Sequence, residues 1–250
     1  MKFCVCIKQV PDVTAPIQVR DGALVMDAGR VVLNAYDASA VEAALVLTEQ
    51  HGGEVEVVLV GPERATETIR KALAMGAHRG THLVVDEGTP LDSHAVSALL
   101  ARRFEGAGCD VILTGKQAQD TDAGLAGGML AERLGLPYAT NAVGLALEGD
   151  TVVVTRQGDT GQEVIALPTP CLATCSNDMN DPRIPNLRGV MQAKSKPLAS
   201  ERVAEVPAPR VRVLGYEPLP QRAPGVRLDG EPAEQAAEVV RRLAEEARVI

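Results

Sequence analysis

Hydrophobic and polar positions before Pro137 follow two alternating patterns. One consists of short, nearly continuous apolar runs rich in valine, isoleucine and leucine, such as 55–61 (VEVVLVG) and 110–115 (DVILTG). Between them lie longer segments whose apolar residues recur every three or four positions, such as 38–50 (ASAVEAALVLTEQ). The short runs are typical of buried strands, and the longer segments are typical of amphipathic helices. Their alternation predicts a parallel sheet with helices on both faces.

Turn and cap residues predict where these elements begin and end. Asp37 opens the first helix, Gly52-Gly53 closes it, and Asp21-Gly22 marks an earlier hairpin. The predicted strands are 3–10, 55–61, 82–86 and 110–115, and the predicted helices are 38–50, 62–76, about 91–105 and about 122–134.

A different pattern follows Pro137. Residues 176–230 have little periodicity and are rich in proline and arginine. A compact domain rarely contains so long a structureless stretch, so we interpret it as a surface loop followed by an arm lying on another protein. The other predicted elements are hairpins over 145–167 with turns at 148–150 and 158–161, a strand at 171–175 that returns to the sheet, and an amphipathic helix at 231–248.

These patterns predict an α/β fold with a doubly wound, mostly parallel sheet. Antiparallel hairpins are added to the sheet, and an extended C-terminal arm ends in a helix. We expect two domains, an α/β domain over 1–200, which includes the loop 182–196, and an arm with its helix over 201–250.

The net charge of −8 and the 2% content of aromatic residues narrow the functions that such a fold could serve. An acidic chain has no field that favours nucleic acid or an anionic membrane, and few aromatics leave no platforms for stacked bases. No apolar run approaches the roughly 20 residues that span a bilayer. Residues 1–10 lack the charged start and long apolar stretch of a signal peptide. We therefore expect a cytoplasmic chain without nucleic-acid or membrane partners.

Five cysteines, an odd number, are expected to be reduced thiols in such a chain. Cys4 and Cys6 share one face of the first strand, and with Cys171 and Cys175 they could form a four-thiolate cluster. Their spacings do not match common zinc pairs, so we favour small buried hydrophobic residues and expect no metal.

The motifs of common enzymes are absent. There is no Walker A motif, no G-x-G-x-x-G after the first strand and no G-x-S-x-G, and we expect no acid–base catalytic residues. A ligand is expected instead beyond the carboxyl ends of the parallel strands. Segment 114–134 leaves a strand and enters a helix whose first turns hold Gly124, Gly127 and Gly128, an arrangement that suits an anion. Close packing of a small-residue helix on the sheet is the alternative interpretation.

Several motifs, taken in order, resemble the electron transfer flavoprotein beta family. They are VCIKQVPD (5–12), NAYDASAVEAAL (34–45), ETIRKALAMGAHRG (67–80), GKQAQDTDAG (115–124), TRQGDTGQE (155–163) and PRIPNLRGVMQAKSKP (182–197). The resemblance covers about residues 2–200 and is specific, because several unrelated motifs occur in sequence. It implies the Rossmann-like, adenine-nucleotide-binding type of α/β fold.

The resemblance implies a heterodimer in which an alpha subunit holds most of an FAD. This subunit would cover part of the isoalloxazine and bind an AMP. Val13 and Tyr36 would lie towards the flavin, although an ordinary half-buried loop position is the alternative for Tyr36. The residues carried over to the AMP site are Cys6 (through its backbone), Asn34, Ala35, Tyr36, Asp37, Val60, Asp120, Thr121, Asp122, Ala123, Gly124, Leu125, Ala126, Gly127, Gly128, Met129, Leu130 and Ala131.

Two places depart from the family pattern. Ala35 stands where many relatives have proline, and residues 124–126 (Gly-Leu-Ala) stand where many have Asn, Gln or Thr. Side-chain contacts to a phosphate would be lost there, so backbone N–H groups would have to bind it. Asp120 and Asp122 would repel phosphate, and we expect them to serve the sugar, the loop or a helix cap.

A basic, proline-flanked loop over 182–196 matches the family's recognition loop, which anchors on partner dehydrogenases through a leucine. Leu187 falls on that leucine. An exposed apolar residue with a charged rim is the expected anatomy of a transient docking site, and a solvated loop with Leu187 folded inward is the alternative. The predicted docking residues are Arg183, Ile184, Leu187, Arg188, Met191, Lys194 and Lys196.

The function implied is electron carriage, without enzyme activity of the chain's own. The carrier would accept electrons from flavin dehydrogenases, such as the acyl-CoA dehydrogenases of fatty-acid β-oxidation, and pass them to a quinone-linked oxidoreductase. In a eukaryote the location would be the mitochondrial matrix. Two alternatives stay open. One is the beta subunit of an electron-bifurcating flavoprotein, which binds a second FAD instead of AMP and oxidises NADH; the other is a universal-stress-like nucleotide-binding module.

Overall fold

The short apolar runs form strands of a mostly parallel sheet, and the longer amphipathic segments form the helices that cover it, as the sequence predicts. The computed structural model describes residues 1–16, 18–25, 29–220, 222 and 224–250. The strands are β1 (Lys2–Ile7), β2 (Gln9–Pro11), β3 (Gln18–Arg20), β4 (Ala23–Val25), β5 (Val31–Leu33), β6 (Glu54–Gly61), β7 (Arg79–Val84), β8 (Val111–Gly115), β9 (Tyr138–Glu148), β10 (Thr151–Gly158), β11 (Gly161–Pro168), β12 (Cys171–Cys175) and β13 (Leu198–Arg202). The helices are α1 (Ala35–His51), α2 (Thr66–Met75, after a 3₁₀ turn at Glu63–Ala65), α3 (Ser93–Phe104), α4 (Ala126–Leu134), α5 (Leu187–Ala193) and α6 (Pro232–Arg242, continued by a π-helical turn at Leu243–Ala247).

Within the described residues, nine strands form one sheet in the order β11-β10-β9-β12-β8-β1-β6-β7-β13. Every neighbouring pair is parallel except those of β10, which runs antiparallel to β9 and to β11. The chain first adds β6 and β7 on one side of β1 and then returns to place β8 on the other side. The strand order therefore reverses between β1 and β8, and a ligand crevice is expected at their carboxyl ends.

Successive residues of the central strand face two separate hydrophobic layers. Phe3, Val5 and Ile7 pack into the layer that contains α1 and α2, whereas Cys4 and Cys6 pack into the layer that contains α3 and α4. A strand that is covered on both faces can be apolar at every position, because each side chain finds one layer or the other. The doubly wound fold predicted from the alternating patterns is confirmed.

The predicted antiparallel additions are also present. The turns at 148–150 and 158–161 join β9, β10 and β11, and β12 inserts between β9 and β8. The early hairpin joins β3 and β4 through Asp21 and Gly22, both of which have a positive φ. Two left-handed residues in a two-residue turn match the twist of the flanking strands.

Some element boundaries differ from the prediction. α4 begins at Ala126 rather than near residue 122, because residues 118–123 fold into a loop closed by the Ala118 N–H donating to the Ala123 carbonyl at 3.1 Å. Asp122 has a φ of 51°, which a helix does not admit. β7 begins at Arg79, three residues before the predicted strand, and its Thr81 hydroxyl donates to the buried Glu56 at 2.8 Å.

The interpretation of residues 176–230 as a surface loop followed by an arm missed two regular elements in the middle of this stretch. Residues Leu187–Ala193 form α5, and Leu198–Arg202 form β13, which pairs in parallel with β7 at the edge of the sheet. β13 reads LASER and is largely exposed, so no alternation of apolar residues marks it as a strand. Its pairing depends on β7, which is more than 100 residues away in the chain.

The cysteines differ from the expectation that all five are free thiols. Cys4 and Cys109 form a disulfide, while Cys6, Cys171 and Cys175 are free and buried. Cys109 lies two residues before β8, the neighbour of β1, so the fold brings together two cysteines 105 residues apart. Cys171 and Cys175 face the layer opposite Cys4, which contradicts the four-thiolate cluster. Over the described ranges, no three His, Cys, Asp or Glu side chains are grouped so that they could hold a metal ion.

The described residues divide into two units, 1–215 and 216–250. The second unit contains the predicted C-terminal helix, and none of the residues of α6 is buried. That residues 201–250 pack on a partner subunit stays a prediction, and Gln221 and Ala223 of that segment lie outside the described residues. No helix among the described residues combines the length and the apolar character that crossing a membrane requires.

Candidate functional site

A cavity lies at the carboxyl ends of β1 and β8, where the strand order reverses. Its volume is about 180 Å³. Val58, Val60 and Leu100 from β6 and α3 give it apolar walls, and the loop after β8 gives it polar ones. Ligand pockets for drug-sized molecules usually measure about 300–1,000 Å³, so this cavity can enclose only part of a nucleotide.

The carboxylate of Asp37 joins the two strand ends that border the cavity. Its Oδ2 accepts a hydrogen bond from the Lys8 N–H at 2.7 Å, and its Oδ1 accepts one from the Gly115 N–H at 3.0 Å. Burial raises the pKa of Asp37 to about 7, although hydrogen bonds with Asn34, Lys8 and Gly115 oppose the shift. A Cβ on Gly115 would lie 2.2 Å from Asp37 Oδ1, so only glycine allows this approach.

Asn34 fixes the loop that follows β8. Its Nδ2 donates to the Gln117 carbonyl at 2.9 Å, and its Oδ1 accepts from the Gln119 N–H at 3.1 Å. Asn34 is the N-cap of α1, but its side chain makes no capping hydrogen bond to a backbone N–H of that helix. The side chain that would normally cap the helix therefore anchors the loop.

The two aspartates of this loop have partners within the chain. Asp120 accepts from Lys8 Nζ at 2.7 Å, and Asp122 accepts from Gln117 Nε2 at 3.1 Å. Both bonds hold the loop in place, which is one of the three roles expected for these aspartates. The Lys8 ammonium offsets the charge of Asp120 beside the cavity, so an anion there meets less repulsion than the sequence alone indicates.

The small residues at the start of α4 have two interpretations, an anion site and close packing of the helix on the sheet, and features of both are present. The first turn of a helix has backbone N–H groups without carbonyl partners in the helix, and the N-cap residue Leu125 supplies no side-chain bond. Ala126 and Gly127 line the cavity. A Cβ on Gly127, however, would lie 2.7 Å from Thr174 Cγ2 and 2.8 Å from Thr114 Oγ1. Gly127 is thus required by helix-on-sheet packing, while the amides at the helix start remain suited to an anion.

The predicted nucleotide residues are only partly brought together. Leu125, Gly128 and Met129 line an adjoining cavity of about 450 Å³ that shares Gly124 with the first. Leu130 and Ala131 are buried in the core beneath α4. The predicted residues that line the first cavity are Cys6, Asn34, Asp37, Val60, Thr121, Ala123, Gly124, Ala126 and Gly127.

The residues predicted to lie near a flavin are outside the cavity lining. Val13 is 74% exposed. Tyr36 is half-buried and follows the exposed Ala35 at the start of α1, where its Cβ approaches Gly115. That Val13 and Tyr36 face a flavin stays a prediction.

Cys6 contributes to the cavity without reactive character. Burial, with the charge of Asp37 as a smaller cause, raises the pKa of its thiol well above the ordinary value. The thiol is therefore neutral near pH 7 and is a poor nucleophile. This agrees with the expected role of Cys6 through its backbone.

Sequence reasoning missed several lining residues. Lys8 and Lys116 lie directly after β1 and β8, so the rule that ligands bind at strand ends could have named them. Asp92, Ser93 and Val96 reach the cavity from the start of α3. Only the packing of α3 beside α4 brings these three residues to the site, and no local pattern signals it.

The predicted docking loop divides into exposed and internally bonded residues. Ile184, Leu187 and Met191 are 92%, 77% and 65% exposed, so the alternative in which Leu187 folds inward is wrong. Arg183 instead forms ion pairs with Glu42 and Glu49 of α1. Lys196, the predicted cation at the C-terminal end of the loop, donates to backbone carbonyls at the end of α2.

The sheet order and the cavity define a doubly wound α/β protein with a ligand site at its switch point, a class rich in nucleotide-binding proteins. A family model for the electron transfer flavoprotein domain matches residues 22–206. The electron transfer flavoprotein subunit beta of Bradyrhizobium diazoefficiens is 40% identical over 255 residues, which span 100% of both chains. That of Syntrophomonas wolfei is 35% identical over 234 residues, 93% of this chain and 91% of the relative.

A third relative is subunit CarD of the Caffeyl-CoA reductase-Etf complex of Acetobacterium woodii, 37% identical over 201 residues, 79% of this chain and 77% of its own. The chain belongs to the electron transfer flavoprotein beta-subunit family. Its family is one of electron-transport flavoproteins, which sets aside the universal-stress-like alternative.

Asp37→Asn should change how stability depends on pH. Because the pKa of Asp37 is raised from 3.8 to about 7 in the folded chain, its contribution to stability is complete below pH 3.8 and is lost as pH rises through 7. Between pH 5 and pH 8 the free energy of unfolding of the wild type should fall by about 2–3 kcal/mol relative to Asp37→Asn. Urea unfolding at three pH values measures this difference.

The matched control is Asp86→Asn, because Asp86 is an exposed aspartate paired only with the exposed Arg202 among the contacts of the described residues. Its pH profile should run parallel to that of the wild type. A parallel profile for Asp37→Asn as well would show that Asp37 stays ionised in the folded chain.

Proposed function

We propose that this chain is the beta subunit of a heterodimeric electron transfer flavoprotein that accepts electrons from flavin dehydrogenases and passes them to a quinone-linked oxidoreductase. The observation that carries the proposal is the pairing of two features on a member of this family. One is a switch-point cavity bordered by Asp37, Asn34 and the start of α4, and the other is an exposed apolar loop centred on Leu187. Acyl-CoA dehydrogenases are the expected class of donor.

The cofactors proposed are an FAD shared with an alpha subunit and an AMP held by this chain. The cavity suits part of an adenine nucleotide, with apolar walls for a base and helix-start amides for a phosphate. Lys116 supplies positive charge at the polar side, where Lys8 offsets the charge of Asp120. FAD, when bound, supplies the redox chemistry, and the chain's own residues bind, orient and shield it.

The chain itself is proposed to be a carrier and not an enzyme. Asp37, whose pKa burial raises to about 7, is engaged by two backbone N–H groups and so has a structural use. The site lies in a chain for which we propose a cytoplasmic location, or the mitochondrial matrix in a eukaryote.

An electron-bifurcating role is the second candidate. The similarity to a subunit of a Caffeyl-CoA reductase-Etf complex favours it, as do the two larger cavities that adjoin the first. These measure about 450 and 580 Å³ and share Gly124 with it, so a ligand longer than AMP has room to extend past the loop. In that case a second FAD would replace AMP, and NADH would be the electron donor.

Co-expression with a candidate alpha subunit tests the proposal. The purified heterodimer should be yellow and should release equal amounts of FAD and AMP on denaturation, measured by absorbance and mass spectrometry. The beta chain expressed alone should be colourless. Two FAD and no AMP per heterodimer would establish the bifurcating alternative, and a stoichiometric yellow beta chain without a partner would contradict both.

Ala126→Asp should empty the nucleotide site without unfolding α4. Ala126 is the first residue of the helix and lines the cavity. An aspartate there is favourable to the helix dipole but repels a phosphate, so nucleotide affinity should fall tenfold or more. AMP released per heterodimer is the measurement, and Ala126→Asn, of equal size and no charge, is the control. Full AMP content in Ala126→Asp would mean that the phosphate lies elsewhere.

Leu187→Ala should weaken docking to a dehydrogenase. A single apolar anchor commonly contributes on the order of 2 kcal/mol at an interface, roughly thirtyfold in affinity. The rate of flavin reduction at limiting dehydrogenase should fall and should partly recover at high dehydrogenase concentration. Absorption spectrum, dithionite reduction and melting temperature should stay unchanged, because Leu187 is exposed.

The matched control is Val164→Ala, which removes an exposed apolar side chain from β11 instead of the loop. Its reduction rate should equal that of the wild type at every dehydrogenase concentration. Equal curves for Leu187→Ala and the wild type would show that Leu187 is not the anchor.

A further inference from the structure

The N-terminal end of loop 182–196 is tied to α1 by one arginine. Arg183 Nε donates to Glu42 Oε2 at 2.8 Å, and its Nη1 donates to Glu49 Oε1 at 2.5 Å. The backbone N–H of Arg183 also donates to Glu42 at 3.0 Å. Glu42 is only 7% exposed, so its carboxylate depends on Arg183 for a counter-charge. Arg183 is therefore committed to the interior of the chain.

The C-terminal end of the same loop is tied to α2 by two cations. Lys196 Nζ donates to the Leu73 carbonyl at 2.9 Å and to the Ala77 carbonyl at 2.7 Å, groups at and just beyond the end of α2. In return, Arg70 of α2 donates to the Ala193 carbonyl at 2.6 Å. Cations at a helix C-terminus satisfy its free carbonyls and complement its dipole. Lys196 is thus also occupied within the chain.

Between the two ends, α5 lies directly on α2. A Cβ on Gly189 would stand 2.6 Å from the Ala74 carbonyl, so the two backbones touch at a position where only glycine fits. Asn186 caps α5 by accepting from the Gly189 N–H at 2.8 Å. The short helix that carries Leu187 and Met191 is therefore fixed at its start, in its middle and at its end.

The remaining basic residues of the loop differ from Arg183 and Lys196. Arg188 and Lys194 are exposed, and no hydrogen bond or ion pair engages their side chains in the part of the chain that the structure describes. They flank the exposed apolar residues Ile184, Leu187 and Met191. The outward surface is accordingly an apolar patch with two free positive charges.

We infer that the four cations of the loop have two separate roles, an inference that rests on the proposed docking function. Arg183 and Lys196 are positioning residues that hold α5 in its docking orientation and do not touch the partner. Arg188 and Lys194 face the partner. By charge complementarity, the surface fits a donor flavoprotein whose receiving pocket is apolar and rimmed by carboxylates.

Arg183→Met and Arg188→Met, made in the co-expressed heterodimer, separate the two roles, because each removes one positive charge from the loop. Flavin reduction is measured against dehydrogenase concentration at several ionic strengths. For Arg188→Met, the half-saturating concentration should rise roughly fivefold, and the salt dependence of the second-order rate should become shallower. The limiting rate at saturation should stay unchanged.

Arg183→Met should behave differently. Loss of the Arg183 charge leaves Glu42 and Glu49 without their counter-charge, so the salt dependence of this variant does not itself separate the roles, and the slopes are compared in the charge-balanced double variant of Glu42 and Arg183. The half-saturating concentration should still rise roughly fivefold or more, because a loosened loop must be reordered on binding. Hydrogen exchange of the amides of residues 184–196 should become faster in Arg183→Met and remain unchanged in Arg188→Met.

A double variant keeps the test valid if the single variant is unstable. Glu42→Met with Arg183→Met removes both partners and leaves no buried lone carboxylate, a replacement that is often neutral for folding. It should fold, exchange faster in the loop and dock weakly with the slope of the wild type. The division of roles would be overturned if the double variant showed a shallower salt dependence of the second-order rate together with unchanged hydrogen exchange of the loop amides. Normal docking of Leu187→Ala as well would overturn the proposed docking surface itself. If Leu187→Ala weakens docking as expected, only the division of roles between the cations is overturned.

Discussion

One buried carboxylate holds together the two strand ends between which the cavity lies. Asp37 accepts hydrogen bonds from the N–H of Lys8 at the end of β1 and from the N–H of Gly115 at the end of β8. These two strands are parallel neighbours, and the sheet is extended from them in opposite directions. Both N–H groups point away from the sheet ladder at its end, so without Asp37 they would be buried and unpaired. The same bonds set the width of the crevice. The cavity, the loop after β8 and the start of α1 therefore share one constraint.

Helix α1 extends this constraint across the molecule. Its N-cap Asn34 and its residue Asp37 hold the cavity loop and the strand ends, and Glu42 and Glu49, in its middle and its last turn, hold the loop that presents Leu187. A helix is stiff over such a length, so this loop and the cavity have a fixed relation to each other. This fixed relation gives a physical reason for the burial of Asp37 and Glu42 on α1, because each carboxylate has partners in other elements.

Much of the fold follows from the sequence because its signals are local. Alternating patterns and glycine positions predict the doubly wound sheet, and the resemblance identifies the family and part of the cavity lining. The disulfide between Cys4 and Cys109, the strand β13 and the approach of Asp92 depend on contacts between distant segments, and no local pattern reports such contacts. Charge alone likewise does not tell whether a cation of the loop, such as Arg183, pairs inside the chain or with a partner.

A carrier that exchanges electrons with several proteins has to bind briefly and still bind in the right orientation. Those demands conflict if affinity comes from a large interface, because a large interface dissociates slowly. A small apolar anchor on a fixed helix resolves the conflict, since little conformational entropy is lost on binding and few contacts have to break on release. Free charges at the rim then raise the rate of encounter without adding much to the lifetime of the complex. In the proposed docking surface, the internal pairing of Arg183 and Lys196 serves both demands: it stiffens the helix that carries Leu187, and it leaves the free positive charges at the positions beside Leu187.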